Sequence, residues 1–190
     1  MVQLSSINKI TDEQKTILLK IARDSILAYI EDKNVEDFRQ AMYKKYKDDL
    51  FYLKSGVFVT LTIDNELRGC IGNILAVDTI LDSVIDNALN AGFSDSRFMP
   101  ISKEEFEAMK IEISILTPLV PCSLKDIKIG DGVYIDYNDH SATFLPQVWD
   151  ELESINAFMS HLCIKAGLEA YAYKSDIIRF YKYKVINFIE

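Results

Sequence analysis

A chain of 190 residues is sized for one domain, or for one domain in two lobes, and buries enough surface to fold without a disulfide or metal staple. Its 49% hydrophobic and 26% charged composition excludes a disordered chain, and a formal net charge of −8 with no basic stripe argues against a nucleic-acid partner. No apolar run spans a bilayer and no leader pattern opens the chain, while three widely spaced cysteines, Cys70, Cys122 and Cys163, fit reduced thiols of a cytoplasmic protein better than a disulfide framework.

Thr11-Asp12-Glu13-Gln14 reads as a capping box with Thr11 at the N-cap and Gln14 at N3. The stripe Ile17, Leu18, Ile21, Ala22, Ser25, Ala28 and Tyr29 predicts a core-facing helix that turns Lys20, Arg23 and Asp24 outward. The Lys- and Tyr-rich stretch from Asn34 to Lys54 reads as a short helix and a loop. Gly56 to Ile63 is β-branched and aromatic with a period of two, so it predicts a strand; Asp64-Asn65-Glu66 supplies a turn, and Leu67 to Ile71 returns antiparallel. Thr79-x-x-Asp82 starts a helix carrying Ile80, Leu81, Val84, Ile85, Ala88 and Leu89 on one stripe, with Gly92 as its C′ residue.

Ser102 to Glu105 opens a third helix by the same capping logic. Lys110 to Leu116 alternates Ile111, Ile113 and Ile115 with Glu112 and Ser114, a strand with one buried face. Pro118 and Pro121 end it and mark a lobe boundary near 117–122. A second hairpin follows, with strands Val133 to Tyr137 and Ser141 to Leu145 about the turn Asn138-Asp139-His140. Ser154 then caps a helix with the stripe Ile155, Phe158, Met159, Leu162, Cys163 and Ala166, closed by Gly167, and a strand from Ile177 to Phe188 ends the chain. Hairpins and separate helices, without βαβ alternation, predict an α+β fold: a mainly antiparallel sheet flanked by helices, in a single domain over 1–190.

The segment richest in chemistry is Leu67-Arg68-Gly69-Cys70-Ile71-Gly72. Strand geometry sets Arg68 and Cys70 on one face and Leu67, Gly69 and Ile71 on the other, with Gly72 leaving open space. At about 6.5 Å along the strand, a guanidinium favours the thiolate. The plainer alternative makes Cys70 a small buried hydrophobe, the commoner fate of a free cysteine. An arginine inside an apolar hairpin needs a partner for its planar fork, either Asp95 or an external anion. Gly69 and Gly72 mark a bulge or a close backbone crossing, or else they bare N–H groups to a ligand.

Several segments together resemble the AMMECR family: Leu18 to Arg23, Gly56 to Leu61, Leu67 to Gly72, Phe93-Ser94-Asp95-Ser96-Arg97-Phe98, Ile111 to Leu116, Ala142 to Trp149 and Ser160 to Leu168, in the family's order. Ser96 and Met99 stand where that family usually carries proline. The resemblance implies a two-lobed α+β fold with the Leu67–Gly72 motif as hallmark and functional surface. It also implies partners of the Memo-like and radical SAM types, encoded beside prokaryotic members. It implies no reaction.

His161 and Cys163 stand about 200° apart on a helix, so one ion does not take both from one face, and neither a metal site nor a cofactor is expected. His140 is read as solvated in its turn. Gln147 belongs to a structural corner anchored by Trp149, or offers its amide to a ligand. Phe180, Tyr181 and Tyr183 read as sheet packing. The favoured expectation is therefore a cytoplasmic binding or accessory module. Arg68, Gly69, Cys70, Gly72, Asp95, Arg97 and Gln147 would recognise a partner protein or a small anionic ligand. The alternative is an enzyme with Cys70 as nucleophile or redox centre, Arg68 steering an anionic substrate and His161 as base.

Overall fold

Two four-stranded sheets flanked by helices organise the protein in a computed structural model that describes residues 7, 9–152 and 154–190. The chain divides into two compact units: one gathers everything up to Leu116 together with Ile186–Glu190, and the other is Thr117–Val185. No helix among the described residues is long and apolar enough to cross a membrane.

The first unit carries helix α1 (Asp12–Ile30), helix α2 (Val35–Lys45), strands β1 (Val57–Ile63) and β2 (Glu66–Asn73), helices α3 (Ile80–Phe93) and α4 (Lys103–Ala108), and strand β3 (Lys110–Leu116). Strands β4 (Val120–Cys122), β5 (Gly132–Tyr137), β6 (His140–Phe144) and β7 (Arg179–Tyr183) belong to the other unit, and β8 (Val185–Ile189) completes the order β2-β1-β3-β8. Val57, Val59 and Leu61 of β1 and Ile111, Ile113 and Ile115 of β3 bury one sheet face against Leu18 and Ile21 of α1 and Leu81, Val84 and Ile85 of α3.

The predicted capping box at Thr11 forms, with Thr11 N–H donating to Gln14 Oε1 at 2.9 Å and Gln14 N–H to Thr11 Oγ1 at 3.2 Å. Thr79 caps α3 and Ser102 caps α4 as expected. Asp64 and Asn65 both take positive φ, 51° and 66°, the backbone of a two-residue type I′ hairpin turn.

Several local expectations are corrected. Arg23 does not face away: it donates to the carbonyls of Phe106 (3.2 Å) and Met109 (2.8 Å) and pairs with Glu190, clamping α1 to the end of α4 and the last residue of the chain. Tyr29 leaves the core stripe and is exposed, its ring 4.3 Å from that of Phe93. Gly92 lies inside α3, which runs on to Phe93 and ends at Ser94 in an ordinary negative-φ conformation. Ser114 is buried along with its isoleucine neighbours, so β3 is covered on both faces at its C-terminal end. The terminal strand is two strands in two sheets, interrupted at Lys184.

In the second unit, β4 (Val120–Cys122), β5 (Gly132–Tyr137), β6 (His140–Phe144) and β7 (Arg179–Tyr183) form the order β4-β7-β5-β6, covered by helix α5 (Ile155–Lys165). Short edge strand β4 tolerates Pro121 because its free side needs no ladder bond. Phe158, Met159, Leu162 and Cys163 of α5 bury against Val133 and Ile135. Trp149 stacks on Phe158 with centroids 3.8 Å apart and donates from Nε1 to the Asp131 carbonyl at 2.8 Å, the corner that the sequence placed there. Ile155, by contrast, departs from the predicted stripe and is 39% exposed.

The α5 terminus is a Schellman motif: Leu168 N–H donates to Cys163 O and Gly167 N–H to Ile164 O, both at 2.9 Å, with Gly167 at φ +76°. His140 is not simply solvated. It opens β6, and its Nδ1 bonds the Ala166 carbonyl at 2.9 Å, one of the orphan acceptors of that helix end. Gly167→Ala is expected to cost about 1–2 kcal/mol, because a Cβ is penalised in the left-handed region. A urea titration that finds the midpoint unmoved would contradict this reading.

Candidate functional site

Strand β2 forms an edge of the first sheet, so one side of its backbone lacks a neighbouring strand. Its register against β1 pairs Thr60 with Cys70 and Leu61 with Gly69, then slips so that Thr62 opposes Leu67, leaving Arg68 as the extra residue of a bulge. Cross-strand partners share a face. The slip therefore moves Leu67 to the face of Cys70, correcting the alternation read from the sequence, and Leu67 is 43% exposed there.

Asp95 is not the partner of Arg68. The Arg68 guanidinium reaches α4, donating from Nε to Glu105 Oε1 at 2.7 Å and from Nη2 to Glu105 Oε2 at 3.0 Å. Nη2 also donates to the Met99 carbonyl at 2.8 Å. Glu105 Oε2 accepts the Ser102 N–H at 2.9 Å as well, so one carboxylate serves both the helix cap and the arginine. Those bonds, first from Arg68 and then from Ser102, hold the Glu105 carboxyl below its ordinary value. The Phe98 ring lies 5.7 Å from the Arg68 guanidinium and 5.4 Å from that of Arg97, within cation–π range.

Asp95 pairs instead with Arg97, accepting from Nε at 2.9 Å and Nη2 at 2.7 Å. Its Oδ2 also accepts the Cys70 N–H at 3.0 Å, while Arg97 Nη2 donates to the Cys70 carbonyl at 3.3 Å. The ion pair thus satisfies both polar groups that the Cys70 peptide presents at the free sheet edge, as an adjacent strand would. Asp95 is only 5% exposed. The Arg97 side chain first, and the Cys70 N–H next, hold its carboxyl well below the usual carboxylate range against the opposing effect of burial.

The two glycines are explained by crowding. A Cβ on Gly69 would lie 2.1 Å from the Ala91 carbonyl oxygen, so α3 crosses β2 on bare backbone. The space expected beside Gly72 is filled: a Cβ there would lie 2.3 Å from the Phe58 ring and 2.5 Å from the Val57 carbonyl oxygen. Cys70 is half-buried, and Thr60 Oγ1 donates to its sulfur at 3.3 Å.

Arg68, Gly69, Cys70, Gly72, Asp95 and Arg97 therefore share the first unit, whereas Gln147 and His161 lie in the second. Gln147 is exposed on the 3₁₀ turn Pro146–Asp150. His161 is exposed on α5, its Nδ1 bonding the Ala157 carbonyl one turn back at 2.9 Å. Both histidines of the chain belong to the second unit. The sequence did not single out Glu105 or Phe98 as site residues, and it marked Met99 only as standing where the family usually carries proline. Glu105 was visible as a cap residue, but its second role depends on a residue 37 positions away.

A family model described as AMMECR1 matches residues 19–188. Protein MJ0810 of Methanocaldococcus jannaschii is 32% identical over 196 residues, covering 95% of this chain and 92% of its own length. Protein NEQ441 of Nanoarchaeum equitans is 38% identical over 165 residues, covering 80% and 86% respectively. The crystal structure of the uncharacterized protein PH0010 from Pyrococcus horikoshii superposes with a TM-score of 0.81 at 30% identity, covering 95% of this chain and 93% of that one. Sequence and fold agree along almost the whole length, and the chain belongs to the AMMECR1 family.

Proposed function

We propose that the protein is a binding module that presents the Leu67–Gly72 edge and the Ser94–Met99 loop to a partner protein. The observation that carries this reading is the setting of Met99. The residue is 80% exposed, yet its carbonyl is gripped by Arg68, so an apolar anchor stands on a fixed backbone. Leu67 adds apolar surface, and Arg97 and Phe98 add the residue types enriched in protein interfaces.

A small anionic ligand is less well supported, because both guanidiniums already face carboxylates. The enzymatic alternative gains less still. The first unit contains no histidine to serve Cys70 as base, and the sulfur accepts a hydroxyl bond. Free thiols at Cys70, Cys122 and Cys163 suit a reducing cytoplasm.

Family resemblance supplies the candidate partners, a Memo-like protein and a radical SAM protein from the same cell. Titration calorimetry with each purified partner is expected to show binding to the wild-type protein. Met99→Asp should weaken it by about tenfold or more, with the melting temperature unchanged. Equal affinity for wild type and variant would remove this surface from the proposal, and failure of the wild type to bind either protein would remove the partners.

A further inference from the structure

The second unit holds a cavity of about 680 Å³, within the size range of small-molecule sites. It opens where cover over the sheet ends, between edge strand β4 and the first turn of α5. Phe180 and Cys122 are cross-strand partners and so present one face to it. Tyr173 and Ile178, both buried, form the rest of its floor. Ile155, the first residue of α5, lies at its wall and is 39% exposed. The second core thus runs out into this cavity with apolar surface left uncovered.

The charged lining among the described residues is Lys125, Lys174 and Asp176, two cations against one anion. Lys174 Nζ stands 4.9 Å above the Tyr171 ring, which restrains it at the rim. Floor and rim therefore ask for different parts of one molecule, an apolar body and an anionic head.

We propose that this cavity binds a small organic anion with an apolar body, such as a medium-chain carboxylate, its chain against Phe180, Ile178 and Ile155 and its head at Lys125 and Lys174. This site belongs to the second unit and stands independently of partner binding through the first.

Cys122 supplies the reporter. It lines the cavity, and burial pushes its thiol up, so labelling with N-ethylmaleimide is best followed at mildly alkaline pH by mass spectrometry of the cysteine peptides. Decanoate should slow modification of Cys122 saturably, about tenfold once it stands at about ten times its dissociation constant, since only the unoccupied fraction reacts. Cys70, in the other unit, should react at an unchanged rate. Ile155→Trp, made at an exposed position, fills the mouth and should abolish the protection. Combined Lys125→Glu and Lys174→Glu should weaken apparent affinity by about tenfold.

Absence of slowing, equal slowing at Cys70, or protection that survives Ile155→Trp would each overturn the site. Decanol protecting as well as decanoate, or the double charge reversal leaving affinity unchanged, would overturn the anionic head.

Discussion

Gly69→Ala is expected to destabilise the protein by about 3 kcal/mol, lowering the melting temperature by about 6–12 °C for a chain of this size. The added Cβ would lie 2.1 Å from the Ala91 carbonyl oxygen, and no side-chain rotation relieves a clash with backbone. Neither partner has room to yield. Gly69 is paired with Leu61 at the bulge, while α3 is fixed by buried Val84, Ile85 and Ala88.

Gly92→Ala is the matched control. A Cβ at Gly92 would have nearest neighbours at 3.6 and 3.8 Å, ordinary contact, and the position is helical. That substitution should be neutral or stabilising by up to about 1 kcal/mol. Calorimetric melting of the pair separates crowding from backbone freedom. Equal effects in the two variants would defeat the close-crossing explanation.

Asp95→Asn is expected to cost about 2–3 kcal/mol, because hydrogen bonds made by a charged group contribute more than neutral ones. The carboxylate accepts from the Cys70 N–H, the Arg97 N–H and two guanidinium nitrogens, and an amide serves that donor set poorly. The loss should also change the pH dependence. The folded carboxyl titrates below its ordinary value of 3.8, so the unfolded state holds more protons between the two values and stability rises with pH there. Its contribution is complete above the unfolded pKa and is lost as pH falls through the folded one. In Asp95→Asn the acid limb of the stability profile should be shallower than in wild type. Parallel profiles down to strongly acidic pH would mean that the pairing with Arg97 and Cys70 contributes nothing to folding.

What could be read from the sequence was what is decided locally. The Thr11 and Ser102 capping boxes, the Thr79 and Ser154 caps and the Gly167 terminus each need only a few neighbouring residues, and all formed. Helix α2 was hard to read because it buries no residue. Val35, Phe38, Met42 and Tyr43 are only half-buried against the core, and Arg39 adds ion pairs to this packing, donating to Asp82 at 2.8 Å and Asp86 at 2.6 Å of α3.

The site was legible in its members but not in its pairing. Arg68, Cys70, Asp95 and Arg97 do gather at one sheet edge. The bulge that turns Leu67 outward, and the choice of Glu105 over Asp95, depend on how β2 meets β1 and α4, which no local pattern carries. The same holds for the final stretch. Ile177 to Phe188 is continuous in β-forming residues, and its break at Lys184 is set by Thr117, whose Oγ1 accepts the Lys184 N–H while its own N–H donates to the Lys184 carbonyl, both at 2.8 Å.

That reciprocal stitch has a consequence for biosynthesis. Strands β3 and β8 are neighbours, bonded near their far ends by Glu190 N–H to Ile111 O at 3.1 Å, yet the whole span 117–184 is translated between them. The nascent first unit must wait, with β3 exposed along one side, until the inserted segment has left the ribosome and its final strand can dock. Closing so long a loop places completion of that sheet among the last events of folding. A short turn joining Leu116 directly to Ile186 would convert the same pair into a local hairpin, freeing the first unit to mature without its insert.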